Sequence, residues 1–499
     1  MKPIRILTAL LTAALMLSAL AACGEAAGAP AAETASPGTP ADVSVTAAVT
    51  EPETAAPTDN LPETDLGGLD FTILTRSEFR YEFGIDAQTG DVIDDAVFTR
   101  NADTAERFNV NLQVADVAGS WSAQDTFKKA VHASILAGDG AYDLVAGAGN
   151  YVMAMTSEGG FLDLTTVRYL DLTADWWSQG FVNNMKVGGA LYMAAGDVAL
   201  TSLENMCVVL FNKQLIGDYS LEDPYAMVSG GSWTLDAMTA MARQVSEDLN
   251  GDGKIDVNDR YGLMTYNNMI RAMIQSFGIP YTGRGADGYP EITFMSDRLI
   301  TACDAVTAFM KEDCALNYTS SLNDTLDIAA GMQELFSHAQ VLFMTQVISS
   351  AEALRTMEVD FGILPYPMLD EAQGRYYTTV LENVTAMGIL TSVKDPDASG
   401  LILEALAFAG RQSITPAYFE IALKNKFARD NESEAMLDII RESTWYDFGY
   451  INSMSLEGIN ALFASCVLND TPIASAFESM KPKCDAALAK LLDAYKELG

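Results

Sequence analysis

From residue 69 onward the chain switches repeatedly between two hydrophobic periods, and this restricts the folds open to it. Residues 69–75 (Leu-Asp-Phe-Thr-Ile-Leu-Thr) alternate as a half-buried strand does. Residues 91–108 carry Val92, Ile93, Ala96, Val97 and Phe108 at helical intervals, with charges elsewhere. Residues 110–114 alternate again, 125–136 read as a helix ending near Gly138, and 142–147 form an apolar strand running into a Gly-rich loop. Strand, helix, strand, helix, strand predicts an α/β layered domain. Ligands in such sheets bind beyond the carboxyl ends of the strands, which brings Arg76 to Glu78 and Ala148 to Tyr151 forward as site candidates. Further strands are expected at 189–197, 206–212, 340–344 and 361–365. Helices are expected at 234–247 and 297–311, and a mainly helical stretch from 397 to the end. No fixed-period repeat occurs, which disfavours solenoids and propellers.

The first residues read as targeting, not as fold. Lys2 and Arg5 precede an apolar run over 6–20, followed by Leu20-Ala21-Ala22-Cys23. This is a signal-peptide layout with small residues at the cleavage point. A Cys directly after them is similar to a bacterial lipobox, which implies a signal peptide over 1–22 and acylation of Cys23. The run is short of the roughly 20 residues a span needs, so the expectation is a chain anchored to a membrane, not threaded through it. The stretch 23–65, rich in Ala, Thr, Pro and Glu, reads as a disordered tether, since it has too little apolar surface to offset ordering entropy. The remaining length favours two domains.

A net charge of −37 argues against nucleic-acid binding, which needs a basic footprint. Besides Cys23 there are five cysteines, an odd number with no C-x-x-C, read as small buried apolar residues. Two histidines, His132 and His338, give little support to a zinc enzyme or a His-based triad.

The sharpest local motif is 248–259, Asp-Leu-Asn-Gly-Asp-Gly-Lys-Ile-Asp-Val-Asn-Asp. Asp248, Asn250, Asp252, Asp256 and Asp259 place oxygens at loop positions 1, 3, 5, 9 and 12. Gly253 occupies the sharp turn at position 6, and Lys254 offers its carbonyl at position 7. That spacing suits Ca²⁺, a hard cation taking six to eight oxygens, in a structural role. Asp259 replaces the usual Glu, as in dockerin-type loops; the plain alternative is an acidic turn without metal. The second motif is aromatic: Trp176, Trp177, Trp233, Trp445 and Tyr446 sit in polar, turn-rich surroundings. Flat rings suit stacking on sugar faces while neighbouring polar groups read hydroxyls; the same rings also serve as core filling.

Together these segments resemble the family 1 extracellular solute-binding proteins of ABC importers, the group containing maltose-binding protein. The pieces, in order, are the lipobox, the 71–75 strand, NADTAERFNV (101–110), SILAGDGAYDLVAG (134–147), LYMAAGD (191–197), VLFNKQLI (209–216), SWTLDAM (232–238), the calcium-type loop and FGILPYP (361–367). The resemblance implies a two-lobed periplasmic-binding-protein fold of type II, with hinge strands and an interlobe cleft. Lobe 1 is expected over 66–205 plus 386–440 and lobe 2 over 206–385 plus 441–499. The ligand-binding set expected from motif and resemblance is Glu78, Asn150, Tyr151, Trp176, Trp177, Asp197, Glu204 (or Asn205), Trp233, Gln346, Trp445 and Tyr446. The calcium-type loop and the extra length depart from maltose-binding protein, so maltose itself is not implied.

The function expected is capture of a carbohydrate by lobe closure, with the closed form handed to the membrane subunits of an ABC transporter. No catalytic residue is expected, and the chain reads as a monomer at the extracellular face of a bacterial cell membrane. The rivals are a secreted carbohydrate-active enzyme, an adhesion protein, and a binder of peptides or organic anions, for which Arg76 is the candidate cation.

Overall fold

Leu69–Arg76 (β1) buries Phe71, Ile73 and Leu74, and pairs in parallel with Val110–Val117 (β2) from Leu69↔Val110 to Arg76↔Val117. The connecting helix Val92–Phe108 (α1) starts at Asp91, whose carboxylate accepts the Ile93 amide, and stops at Asn109 in the left-handed region. After β2 the chain runs through Gln124–Ala137 (α2), closed by Gly138 at φ 59°, into Leu144–Ala148 (β3). Every residue of β3 is buried, as strands covered on both faces require. Gly147 there leaves room for Gly149–Thr156 (α3): a Cβ would lie 2.2 Å from Val152 Cγ1. These features belong to a computed structural model that describes residues 58–319, 321–322, 326–419, 423 and 431–498. The expected signal peptide, the lipidation expected at Cys23 and most of the expected tether lie outside those residues.

A second sheet is built from Cys207–Asn212 (β4), Tyr261–Thr265 (β5), Ala315–Asn317 (β6), Val341–Val347 (β7) and Phe361–Pro365 (β8). Its order is β8-β4-β7-β5-β6, with β4 antiparallel to both neighbours and β5 parallel to β6 and β7. Leu235–Val245 (α4) precedes β5, and Asn267–Ser276 (α5) follows it. Thr385–Gly388 (β9) then returns to the first sheet, pairing antiparallel with β3 to give the order β9-β3-β1-β2. The long helix Pro396–Pro416 (α6) packs on α1, and Asn431–Glu442 (α7) packs on β8. The architecture is thus mixed α/β with two larger sheets, as the alternating periods predict.

The crossings between the sheets lie side by side. Met206 bridges Val380, the Leu381 amide donates to the Asn205 carbonyl at 3.1 Å, and Thr378–Thr379 pairs with Thr444–Trp445. Two expectations need correction. Residues 189–197 form no strand: only isolated bridges, Ala190 to Val187, Ala194 to Met387 and Gly196 to Trp177, pair this mostly buried segment. Residues 431–440, expected in lobe 1, join the second sheet through α7, because its apolar face covers β8. The five described cysteines are all buried and unpaired, as their count suggested.

Candidate functional site

The cleft lies where β2, β3 and β5 end and the chain crosses back. Trp121, just beyond β2, and Asn150, just beyond β3, line it from the first sheet's side. Asn268 and Arg271, in the first turns of α5, line it from the second, and Leu381, Glu382 and Asn383 form its floor from the crossing segment. The cavity holds about 290 Å³. This is the strand-end position at which α/β sheets bind ligands.

Trp121 is 68 % exposed, a large apolar surface left to water at the mouth of a polar cleft. Its loop is held from beneath. The Glu78 carboxylate accepts the Gly119 amide at 3.0 Å and the Ser120 amide at 3.1 Å, and Tyr151 donates its hydroxyl to the Gly119 carbonyl at 3.0 Å. Burial opposes the charge of Glu78, but those amides outweigh it and hold the carboxyl below the usual range. Gly119 has no space for a side chain, since a Cβ would meet Arg76 Cγ at 2.7 Å and the Tyr151 hydroxyl at 2.8 Å. Glu78 and Tyr151 therefore support the aromatic platform rather than lining the cavity.

Asn150 sits in the cleft as expected. It is 6 % exposed, and its Oδ1 has no hydrogen-bond partner. Arg271 has its Nε fixed on Asn267 Oδ1 at 2.9 Å, and its Nη1 stands 3.8 Å from Glu382. Arg76, the cation expected to face an anionic ligand, is instead buried: it donates to Thr385 Oγ1 at 2.6 Å, and Thr385 donates on to Glu82. That chain ties β1 to β9 across the sheet.

Most of the other expected residues lie elsewhere. Trp176 and Trp177 each donate an indole N–H to Glu404 of α6 at 3.0 Å, and both rings are buried. Burial pushes the Glu404 carboxyl up to about 7. Trp233 is fully buried and donates to the Pro365 carbonyl at 3.0 Å. Gln346, inside β7, turns its amide to the Met332 sulfur. Tyr446 is buried with its ring on Phe181, while half-buried Trp445 packs on Tyr377. Asp197 pairs with Arg411 at 3.2 Å; burial nonetheless raises its carboxyl to about 6. Glu204 accepts the Tyr81 hydroxyl, and burial raises it to about 7. Of the expected ligand residues, only Asn150 lines this cavity. Trp121, Asn268, Arg271, Glu382 and Asn383 were not anticipated, and Gly119-Ser120 before Trp121 was the one local turn signal that pointed there.

The fold has close likenesses among solved structures. One is an ABC substrate-binding protein, Lmo0181 from Listeria monocytogenes, in complex with cycloalternan, at 14 % identity and TM-score 0.51, covering 87 % of this chain and 99 % of that one. Another is a cyclo/maltodextrin-binding protein complexed with maltotetraose, at 13 % identity and TM-score 0.55, covering 86 % and 96 %. A third is UspC of M. tuberculosis, at 15 % identity and TM-score 0.54, covering 84 % and 100 %. The fold is that of the two-lobed ABC substrate-binding proteins. No family model matches the chain, and no curated protein does. The cavity over Leu381–Asn383 lies beside the segments that cross between the two larger sheets.

The calcium-type loop is closed by its own amides. Asp248 accepts Gly251 and Gly253, Asn250 accepts Asp252, Asp252 accepts Lys254, and Asp256 accepts Asn258. Asp259 is fully buried and accepts Leu249 at 3.0 Å and Asp256 at 2.8 Å. Gly251 and Gly253 take positive φ, 73° and 79°, which brings the loop round. Among the described residues no three acidic, His or Cys side chains converge as a metal-ligand set. Asp256 Oδ1 takes both the backbone and the side-chain amide of Asn258, so these carboxylates face the loop's own N–H groups, although their oxygens are of the kind a hard cation takes.

Proposed function

We propose that the chain is the lipid-anchored, extracellular binding component of a bacterial ABC importer and that it captures a mono- or oligosaccharide by closing its lobes. The observation that carries this reading is Trp121: a solvent-facing indole on a braced loop, with Asn150, Asn268, Arg271, Glu382 and Asn383 around it. A sugar presents a C–H face to the ring and hydroxyls to the polar groups, and a ligand touching both lobes favours the closed state. Solved structures of the same fold are described with cycloalternan and maltotetraose, which supports a sugar. A binding role also suits the lining, which offers one carboxylate, Glu382, where glycoside hydrolysis uses two. No described helix is long and apolar enough to cross a membrane, and anchoring through Cys23 is part of the proposal.

The test is thermal unfolding of the full chain against a panel of mono- and oligosaccharides, with small-angle scattering on any pair that responds. A ligand at about 100 times its Kd adds roughly 2.7 kcal/mol of stability. A shift with one sugar class, together with a smaller radius of gyration, is the expected result. A flat response to every sugar, or appearance of cleaved products, sinks the reading. The proposal includes structural Ca²⁺ held by Asp248, Asn250, Asp252, Asp256, Asp259 and the Lys254 carbonyl. Calcium should raise the midpoint and chelator lower it, and Asp248→Ala should remove the difference.

A further inference from the structure

The cleft contains one feature that a neutral sugar does not need. Helix α5 is ten residues long and begins at the cleft with Tyr266 as its N-cap, which supplies no side-chain acceptor to the first-turn amides. A helix start of this kind favours negative charge. Arg271 stands one turn further in. Asn267 takes its Nε, Arg271 lines the cavity, and its Nη1 forms a loose ion pair with Glu382 at 3.8 Å, beyond hydrogen-bonding distance. The same Glu382 oxygen, Oε1, receives the Asn460 amide at 3.5 Å. A second observation comes from the opposite lobe: Asn150 is buried, lines the same cavity, and has an Oδ1 with no partner. A buried acceptor left unpaired costs free energy until a donor reaches it.

We infer that the ligand is an acidic saccharide, one whose ring lies on Trp121, whose hydroxyl donates to Asn150 Oδ1, and whose carboxylate meets Arg271 and the start of α5. Arginine pairs with a planar carboxylate through two parallel N–H bonds, and a neutral hydroxyl cannot match that geometry. Glu382 is the other charged group lining the cavity. It accepts hydroxyl hydrogens and disfavours a second carboxylate, which fits one acidic group per bound ring. A cavity of about 290 Å³ is at the small end for ligand sites and suits a short ligand. The inference rests on the carbohydrate reading above and narrows it to hexuronates.

Isothermal titration of the full chain with matched pairs tests it: glucuronate with glucose, galacturonate with galactose, mannuronate with mannose, and the short oligomers of each. For the pair that binds, the acid should be at least about tenfold tighter than its neutral twin, as a charge-assisted bidentate contact requires. Raising salt from about 0.05 to 0.5 M should narrow that gap and leave the neutral member unchanged. Arg271→Gln should erase the preference, the acid losing far more affinity than its neutral twin, and Arg271→Lys should keep part of it. A neutral sugar that binds as tightly as its acid overturns the inference and leaves the carbohydrate reading standing. Silence across the whole panel overturns both.

Discussion

Replacing Trp121 and replacing Trp233 by alanine should fail in opposite ways. Trp233 fills the second sheet's core at 0 % exposure, so Trp233→Ala should cost about 3–5 kcal/mol of stability, read by chemical denaturation. Trp121 stands in water, so Trp121→Ala should leave stability within roughly 0.5 kcal/mol while weakening sugar binding at least about tenfold. If both variants lose stability alike, the exposed ring is not a ligand platform. The sequence does not separate these two residues. Both follow Gly and Ser in a polar turn. What divides them is distant in the chain: Pro365 receives the Trp233 indole, and Glu404 receives those of Trp176 and Trp177. A ring's fate depends on whether such a remote acceptor reaches it, and hydrophobic period does not encode that. Asn150 was legible because it follows an apolar strand at its carboxyl end, a position fixed by fold class.

Helix α6 shows how closely elements here are fitted. A Cβ on Gly410 would lie 2.1 Å from the Asp197 carbonyl oxygen, and one on Gly400 2.3 Å from that of Arg168. Alanine is the better helix former by up to about 1 kcal/mol, so propensity alone predicts that Gly410→Ala stabilises. The contact is to backbone, which cannot swing aside, and displacement of the 197 segment should dominate. Gly410→Ala should therefore lower the melting temperature. A rise would mean that α6 stands further off the first sheet than the structure has it. Elements of this kind were well read from periodicity: α2 runs from 124 to 137 against an expected 125–136. The failure at 189–197 has a physical source, since its apolar residues are buried by neighbours on several sides while its backbone makes only isolated bridges.

Over the whole molecule, burial pushes several carboxyls the same way: Asp197 and Asp447 to about 6, Glu204 and Glu404 to about 7. A carboxyl whose folded-state value lies above its unfolded one keeps its proton longer when folded. Its contribution to stability is complete below the unfolded value near 4 and is lost as pH rises through 6 to 7. The net charge of −37 acts in the same direction, because protonation relieves self-repulsion. Calorimetry should find a higher melting temperature at pH 5 than at pH 8, and the reverse order would contradict the burial of these groups. The two-lobed plan was legible as a whole, while the cleft lining was not, because it draws on residues 121 to 383 of the chain. The uneven burial of the indoles has one more consequence. Of five tryptophans, three are buried, one is half-buried, and only Trp121 faces water. A collisional quencher such as acrylamide would therefore reach chiefly that ring, and a molecule seated in the cleft would shield it. The native emission spectrum thus serves as an unlabelled optical gauge of occupancy.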